Sequence, residues 1–252
     1  MAKKTKTLNS VTTVTTMSTS QYIPLTDGSG NVTKITLANL KASLLGGLNL
    51  NAMNDGVFIM FHRKSDNFPL AVKTDKWTSY QNSGEIAEGV MVVEGGKILV
   101  VAPTEATLYW SSAAVSAGGT TTTNRLTALD DWTGKTSTAA QITHSECNTE
   151  SYAPGFCASY ERVNANGKGL TAGRWWLPSL GELMMIYANM RKINYALSLI
   201  NGATQLAETA YWSSTESSAT YAWSLALNNG YASGGTKATY QLRVRPVSAF
   251  LQ

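Results

Sequence analysis

The last fifth of the chain, 209–250, reads TAYWSSTESSATYAWSLALNNGYASGGTKATYQLRVRPVSAF and constrains the fold more than any other stretch. Aromatic and aliphatic residues at both ends bracket a middle of small polar residues and tyrosine. Between Ser217 and Tyr240 the one charged residue is Lys237, and Tyr221, Tyr231 and Tyr240 stand among Ser, Thr, Gly, Asn and Ala. Tyrosine supplies rigid amphipathic contact area, while Ser, Gly and Asn supply adjustable hydrogen bonds; together they make an adaptable binding surface. A Gly/Ser/Thr-rich surface hairpin without a partner has the same composition. Composition alone leaves both readings open.

The rest of the chain must supply a scaffold for this segment. At 252 residues it has room for one large domain with an appendage, or for two modest domains. A hydrophobic content of 43% is enough for a core, and charged residues at 14% fall well below the usual quarter. With Thr, Ser and Gly abundant, β-structure and long irregular loops are expected over helical bundles. The net charge of +4 resides in the first fifty residues, where Lys3, Lys4, Lys6, Lys34 and Lys41 face Asp27 alone. The body is neutral, so the basic face that a nucleic-acid binder needs is not expected. Two cysteines, Cys147 and Cys157, are too few for a disulfide framework; they either pair across a short loop or remain thiols. No apolar run is long enough to span a membrane. The start is basic but lacks the apolar core of a signal peptide, so synthesis in a cytoplasm and release without a secretion signal are expected.

Read in order, residues 1–20 form a Lys/Thr/Ser tract that buries too little surface to order itself. Strands are expected at 22–25 and 32–35 around the turn-rich DGSGN, with helical spacing at Leu37, Leu40, Lys41 and Leu44 up to Gly46 and Gly47. A hairpin and one helix form a unit too small to stand alone, as an adaptor would. From Asn54 the composition is that of a β-rich domain. Strands are expected at 56–61 and 108–112, a hairpin over 88–102 turning at Glu94, Gly95 and Gly96, and a loop at 113–123. Trp77 is expected to anchor a loop, and a helix is expected over 138–144. The firmest helix follows Pro178, where Ser179 and Glu182 make a capping box and Leu180, Leu183, Met184, Tyr187 and Met190 share a face. A second helix over 193–200 stops at Asn201 and Gly202. Strands at 210–213, 221–227 and 242–247 complete the chain, the last alternating Leu242 and Val244 with Arg243 and Arg245.

Catalytic and metal chemistry finds little support. His62 and His144 are isolated, and His144 with Cys147 and Cys157 lacks a fourth ligand at metal-site spacing. GKGLTA at 167–172 has the letters of a dinucleotide fingerprint without its strand and βαβ context. There is no nucleophile elbow, and the adjacent Asp130 and Asp131 point apart, as a loop cap rather than an acid/base pair. A carbohydrate-active enzyme would require a carboxylate pair that the sequence does not offer. No enzymatic activity, metal or cofactor is expected. Trp175, Trp176, Trp212 and Trp223 are expected mostly in the core.

Two resemblances sharpen these readings. "IPLTDGSGNVTKITLANLK" in the first fifty residues resembles the N-terminal attachment regions of bacteriophage tail and head fibres. Further on, RWWLPSLGEL at 174–183, YWSST at 211–215, AW at 222–223, NNG at 228–230 and RVRPVSAF at 243–250 arrive in one order. This set resembles the C-type-lectin-fold variable proteins diversified by retroelements, above all their Bacteroides-type members, related to the formylglycine-generating-enzyme fold and to the major tropism determinant of a bacteriophage. The likeness is strong over 174–252 and loose over 54–173.

The resemblance implies an invariant scaffold carrying a variable ligand-binding face. The matching variable slots are Tyr221, Ser224, Ala226, Asn228, Tyr231, Ser233, Gly234, Gly235, Thr236, Ala238, Thr239 and Tyr240. Scaffold slots are Trp212, Ser213, Ser214, Trp223, Gly230, Arg243, Val244, Arg245 and Phe250. The oxidising cysteine pair of formylglycine-generating enzymes and the calcium-dependent sugar motifs of true C-type lectins have no counterpart here. The expectation is therefore an α+β protein with a C-type-lectin-like fold at 51–252, a binding face at about 211–242, and an attachment arm and adaptor at 1–50. Its expected role is a homotrimeric adhesin on the virion surface. It would hold a capsid or tail protein through the arm and a bacterial surface glycan or protein through the face, with no nucleic acid and no membrane insertion. The alternative is a structural head-decoration or fibre-linking protein whose C-terminal face binds another virion protein.

Overall fold

A computed structural model describes residues 54–250 together with strands β1 (Tyr22–Thr26) and β2 (Val32–Thr36). Chain contacts divide the protein into units Met1–Ala52 and Met53–Gln252. In the first unit β1 and β2 form the antiparallel hairpin expected around DGSGN, with Tyr22 opposite Thr36 and Thr26 opposite Val32. The tract 1–20 and the helix expected at 37–44 lie outside the described residues.

The second unit is a mixed α/β structure built on antiparallel sheets with few helices. One sheet has six strands, in the order β10 (Trp175–Trp176), β15 (Val247–Ser248), β6 (Lys97–Val101), β5 (Gly89–Glu94), β3 (Gly56–His62) and β4 (Pro69–Lys73). Its centre is continuous apolar sequence, GVFIMF, GVMVV and ILVV. The β5–β6 hairpin turns where the sequence requires it: Gly95 and Gly96 both take positive φ, 54° and 77°, as a two-residue turn matched to strand twist needs. The second sheet has five strands, in the order β13 (Ala232–Thr236), β12 (Tyr221–Ala226), β11 (Ala210–Glu216), β14 (Leu242–Val244) and β7 (Ala106–Leu108). All its pairings are antiparallel except β11 with β14, which run parallel where Tyr211 meets Arg243. A small ribbon pairs β8 (Arg162–Val163) with β9 (Gly169–Leu170).

The five-stranded sheet lies between two apolar clusters. Tyr211, Trp223 and Leu225 enter the larger core, while Trp212, Ala222 and Val244 enter a second one with Trp110 and Leu177. Successive strand residues point to opposite faces, so both faces of β11 and β12 are covered. β12 therefore has no open face: only Tyr221 at its start and Ala226 at its end escape full burial.

Among the described residues six helices complete the unit: α1 (Thr74–Asn82), α2 (Arg125–Leu129), α3 (Gly134–Gln141), α4 (Ala153–Ser159), α5 (Leu180–Ala188) and α6 (Met190–Ser198). The capping box holds: Ser179 Oγ accepts from the Glu182 amide, and Glu182 Oε2 accepts from the Ser179 amide at 2.8 Å. Because α5 packs against α2, β11 and β12, more of its surface is buried than one amphipathic stripe. Met185 and Ile186 are deeper than the expected Met184 and Tyr187.

Several boundaries differ from expectation. Trp77 sits inside α1 rather than on a loop, with its Nε1 donating to Gln81 Oε1. The helix at 138–144 begins earlier, as α3, and α4 occupies a stretch with no helical periodicity. The strand at 108–112 is displaced to β7. The strand at 242–247 divides at Arg245 and Pro246, and its halves join different sheets. Proline cannot donate to a ladder, which suits the point where the chain changes sheet. β13 lies in ASGGT, where no apolar alternation announces a strand.

Candidate binding hairpin

The chemistry-bearing part of 209–250 is the hairpin β12–β13. Its register sets Tyr221 opposite Thr236, Trp223 opposite Gly234 and Leu225 opposite Ala232. The Lys237 amide donates to Thr220 O and the Ala226 amide to Tyr231 O, both at 3.0 Å, which fixes the phase of the ladder. In an antiparallel pair alternate residues bond across. The backbone groups of Ser233 and Gly235 therefore face β12, and those of Ala232 and Gly234 face outward on the sheet edge.

Tyr221, Tyr231 and Tyr240 are exposed at 44%, 58% and 57%. They do not converge on one point. Tyr221 and Tyr240 share one end: Tyr221 pairs with Thr236, whose carbonyl accepts from the Tyr240 amide at 3.2 Å, and Thr239 Oγ1 bonds Thr236 Oγ1. Tyr231 follows the turn at the other end, beside the exposed Asn228. Five strand residues, roughly 17 Å at the usual rise, separate the two ends. Gly234 is exposed between them, and Ala226, Ser233, Thr236 and Ala238 are half-buried.

Two expected face residues point inward. Ser224 is buried and donates from Oγ to Ser233 O at 3.1 Å. Gly235 lies against the Trp212 ring, where a Cβ would come within 2.6 Å. Both hold the hairpin together.

Lys237 is the main anchor. Its Nζ lies 2.5 Å from Glu216 Oε2 and 2.6 Å from Val115 O, and 4.3 Å above the Trp110 ring centroid, with its side chain wholly buried. Burial lowers the pKa of the ammonium, and the Glu216 carboxylate opposes that shift. Glu216 also accepts from the amides of Ala117 and Gly119, both at 3.1 Å. The expected Gly/Thr loop 113–123 is thereby tied to the base of the hairpin. Further bonds run from Val115 to Ala219 O, from Thr122 to Glu216 O, and from Trp223 Nε1 to Thr122 O at 2.8 Å. Just beyond this loop in sequence stands Leu126, 75% exposed, a bare apolar side chain that the sequence did not single out.

The expected scaffold slots are buried, apart from the half-buried Gly230 and Arg243. Arg245 donates to Glu105 Oε2 at 2.6 Å, Ala102 O and Thr204 O; Arg243 also reaches Glu105, and the Tyr211 hydroxyl donates to Glu105 Oε2 at 2.7 Å. One buried carboxylate thus joins β11 to the segment running from β14 to Arg245.

Elsewhere, His62 is not isolated: its Nδ1 lies 2.8 Å from Glu88 Oε2, and Glu88 also accepts the amides of His62 and Leu170. Cys147 and Cys157 are free, buried thiols; burial pushes Cys147 up to about 12 and raises Cys157 as well. Among the described residues no group of three or more His, Cys, Asp or Glu side chains could hold a metal ion, and no helix is long and apolar enough to cross a membrane. Asp131 caps its loop as expected, accepting from the Thr133 amide at 2.9 Å.

No protein-family profile matches the chain, and no curated protein matches it. Among solved structures, a fimbrial protein from Bacteroides ovatus ATCC 8483 aligns with 60% of this chain at 19% identity and a TM-score of 0.34. The chain spans 35% of that protein's length. A likeness of that size carries no inference about role.

Proposed function

We propose that the chain is a bacteriophage virion adhesin, whose second unit has a C-type-lectin-like fold and presents the β12–β13 hairpin to a receptor on the bacterial surface. In this reading residues 1–50 attach to a capsid or tail protein, and the protein acts as a homotrimer without enzymatic activity. The observation that carries the reading is the contrast within one hairpin. Three exposed tyrosines stand among small residues, while the segment's one charge, Lys237, is buried as an anchor. Rigid amphipathic side chains on a fixed base lose little conformational freedom on binding. Several copies on one particle raise the effective affinity of a weak single site.

The test uses particles carrying Tyr221→Ala, Tyr231→Ala and Tyr240→Ala together. An adhesin gives intact particles that adsorb poorly or to altered hosts. A structural decoration or fibre-linking protein gives the reverse, failed incorporation with adsorption unchanged in the particles that form.

A further inference from the structure

At the junction of α5 and α6 the surface opens into a groove of about 930 Å³, lined in part by Tyr187, Arg191, Lys192, Tyr195 and Glu208. Its walls are held from behind. Asn189, between the two helices, donates from Nδ2 to Glu94 Oε2 at 2.8 Å and to Met185 O at 3.0 Å. Asn194 grips Leu206 through two hydrogen bonds, at 2.7 and 3.1 Å, which fixes the segment leading to Glu208. At one side the turn after β12 lies against Tyr187, whose ring would come within 2.8 Å of a Cβ on Gly230. The groove is pre-formed, which lowers the ordering cost of filling it.

Its charged side chains are uncommitted. Arg191, Lys192 and Glu208 are exposed and enter none of the ion pairs among the described residues. Tyr195 is 58% exposed. We infer that this groove binds an acidic glycan with isolated carboxylates, such as hexuronate units spaced by neutral sugars. Tyrosine rings offer flat apolar area to the C–H faces of sugars, and their hydroxyls hydrogen-bond at the rim. Arg191 takes a carboxylate bidentately, with Lys192 as a second point charge. Glu208 accepts from sugar hydroxyls. The same carboxylate repels a dense polyanion, so a polysulfate or nucleic acid is disfavoured. This inference goes beyond the adhesin reading and does not rest on it, because none of these residues belongs to the tyrosine face of the hairpin.

The test is calorimetric titration of the full chain with a hyaluronan octasaccharide, which carries one carboxylate per disaccharide, alongside its methyl ester, a heparin octasaccharide and an oligoglutamate peptide. The octasaccharide is expected to bind, and its methyl ester to bind about ten-fold more weakly or not at all. The exposed double substitution Arg191→Gln/Lys192→Gln is expected to cost at least about ten-fold with thermal unfolding unchanged. Tyr195→Ala is expected to weaken binding, and Tyr221→Ala/Tyr240→Ala, at the far end of the hairpin, to leave it as it was. The inference is overturned if the octasaccharide shows no binding at about 5 mM, within the weak range for a single sugar site. It is equally overturned if ester and acid bind alike, if the double substitution changes nothing, or if heparin or oligoglutamate binds more tightly than the octasaccharide.

Discussion

Lys237 Nζ stands 2.5 Å from Glu216 Oε2, with the lysine side chain shut off from solvent and the glutamate nearly so. The one charge between Ser217 and Tyr240 therefore faces the core. It fastens the exposed turn carrying Thr239 and Tyr240 to the loop at 113–123, so that these exposed residues stand on a rigid base.

Removing one partner of a buried ion pair leaves the other uncompensated, at a typical cost of about 3–5 kcal/mol. Lys237→Met is expected at the low end of that range, because the Ala117 and Gly119 amides still solvate Glu216. Urea unfolding of the variant against the parent chain reads the loss.

Two neighbouring glycines should respond in opposite ways. A Cβ at Gly235 would come within 2.6 Å of the Trp212 ring, whereas at Gly234 it would make only ordinary contact with Tyr221. Gly235→Ala is expected to cost about 1–3 kcal/mol and Gly234→Ala to stay within about 0.5 kcal/mol. Thermal unfolding of the two variants separates them. If this face is diversified among relatives, position 234 should vary and position 235 should not.

Glu182 gives the fold a pH dependence. Burial pushes its carboxyl up from 4.5 to about 7, against the hydrogen bonds from Ser179 and Trp176. For an acid whose folded pKa is raised, the contribution is fully present below about pH 4.5, where both states are protonated. It declines as the pH rises and is lost through about 7. The ionised side chain therefore costs the fold about 3 kcal/mol at pH 8. Glu182→Gln keeps an acceptor for both donors and carries no charge. Its unfolding midpoint should exceed that of the parent at pH 8, with the difference closing towards pH 4.5.

Cys147 and Cys157 should be slow nucleophiles in the folded protein, since burial keeps both as thiols. Alkylation by iodoacetamide at pH 8 is expected to be negligible in native buffer and complete in denaturant. Rapid native labelling of either cysteine would contradict the buried placement.

The legible parts of this fold are those fixed by local chemistry. Gly95 and Gly96 announce the β5–β6 hairpin because the turn needs positive φ, and Ser179 with Glu182 announces α5 because a helix start needs caps. The parts that stayed hidden depend on distant partners. ASGGT forms β13 because β12 offers it a ladder, not through any propensity of its own. Arg245 alternates with apolar residues as a surface arginine would, yet it is buried because Glu105, far earlier in the chain, supplies its counter-charge. Of the candidate face, the exposure of Tyr221, Tyr231 and Tyr240 was legible from their setting among small polar residues. Their separation to opposite ends of the hairpin, the inward turn of Ser224 and Gly235, and the link from Glu216 to the Gly/Thr loop required the register and the fold.

The central claim is that the tyrosine-bearing hairpin contacts the bacterial surface, and competition tests it most directly. The measurement is the adsorption rate of particles to host cells in the presence of the purified chain, or of its Tyr221→Ala/Tyr231→Ala/Tyr240→Ala variant. The parent chain is expected to slow adsorption in a dose-dependent way, and the variant to leave the rate unchanged. Equal competition by both proteins, or none by the parent, would contradict the account.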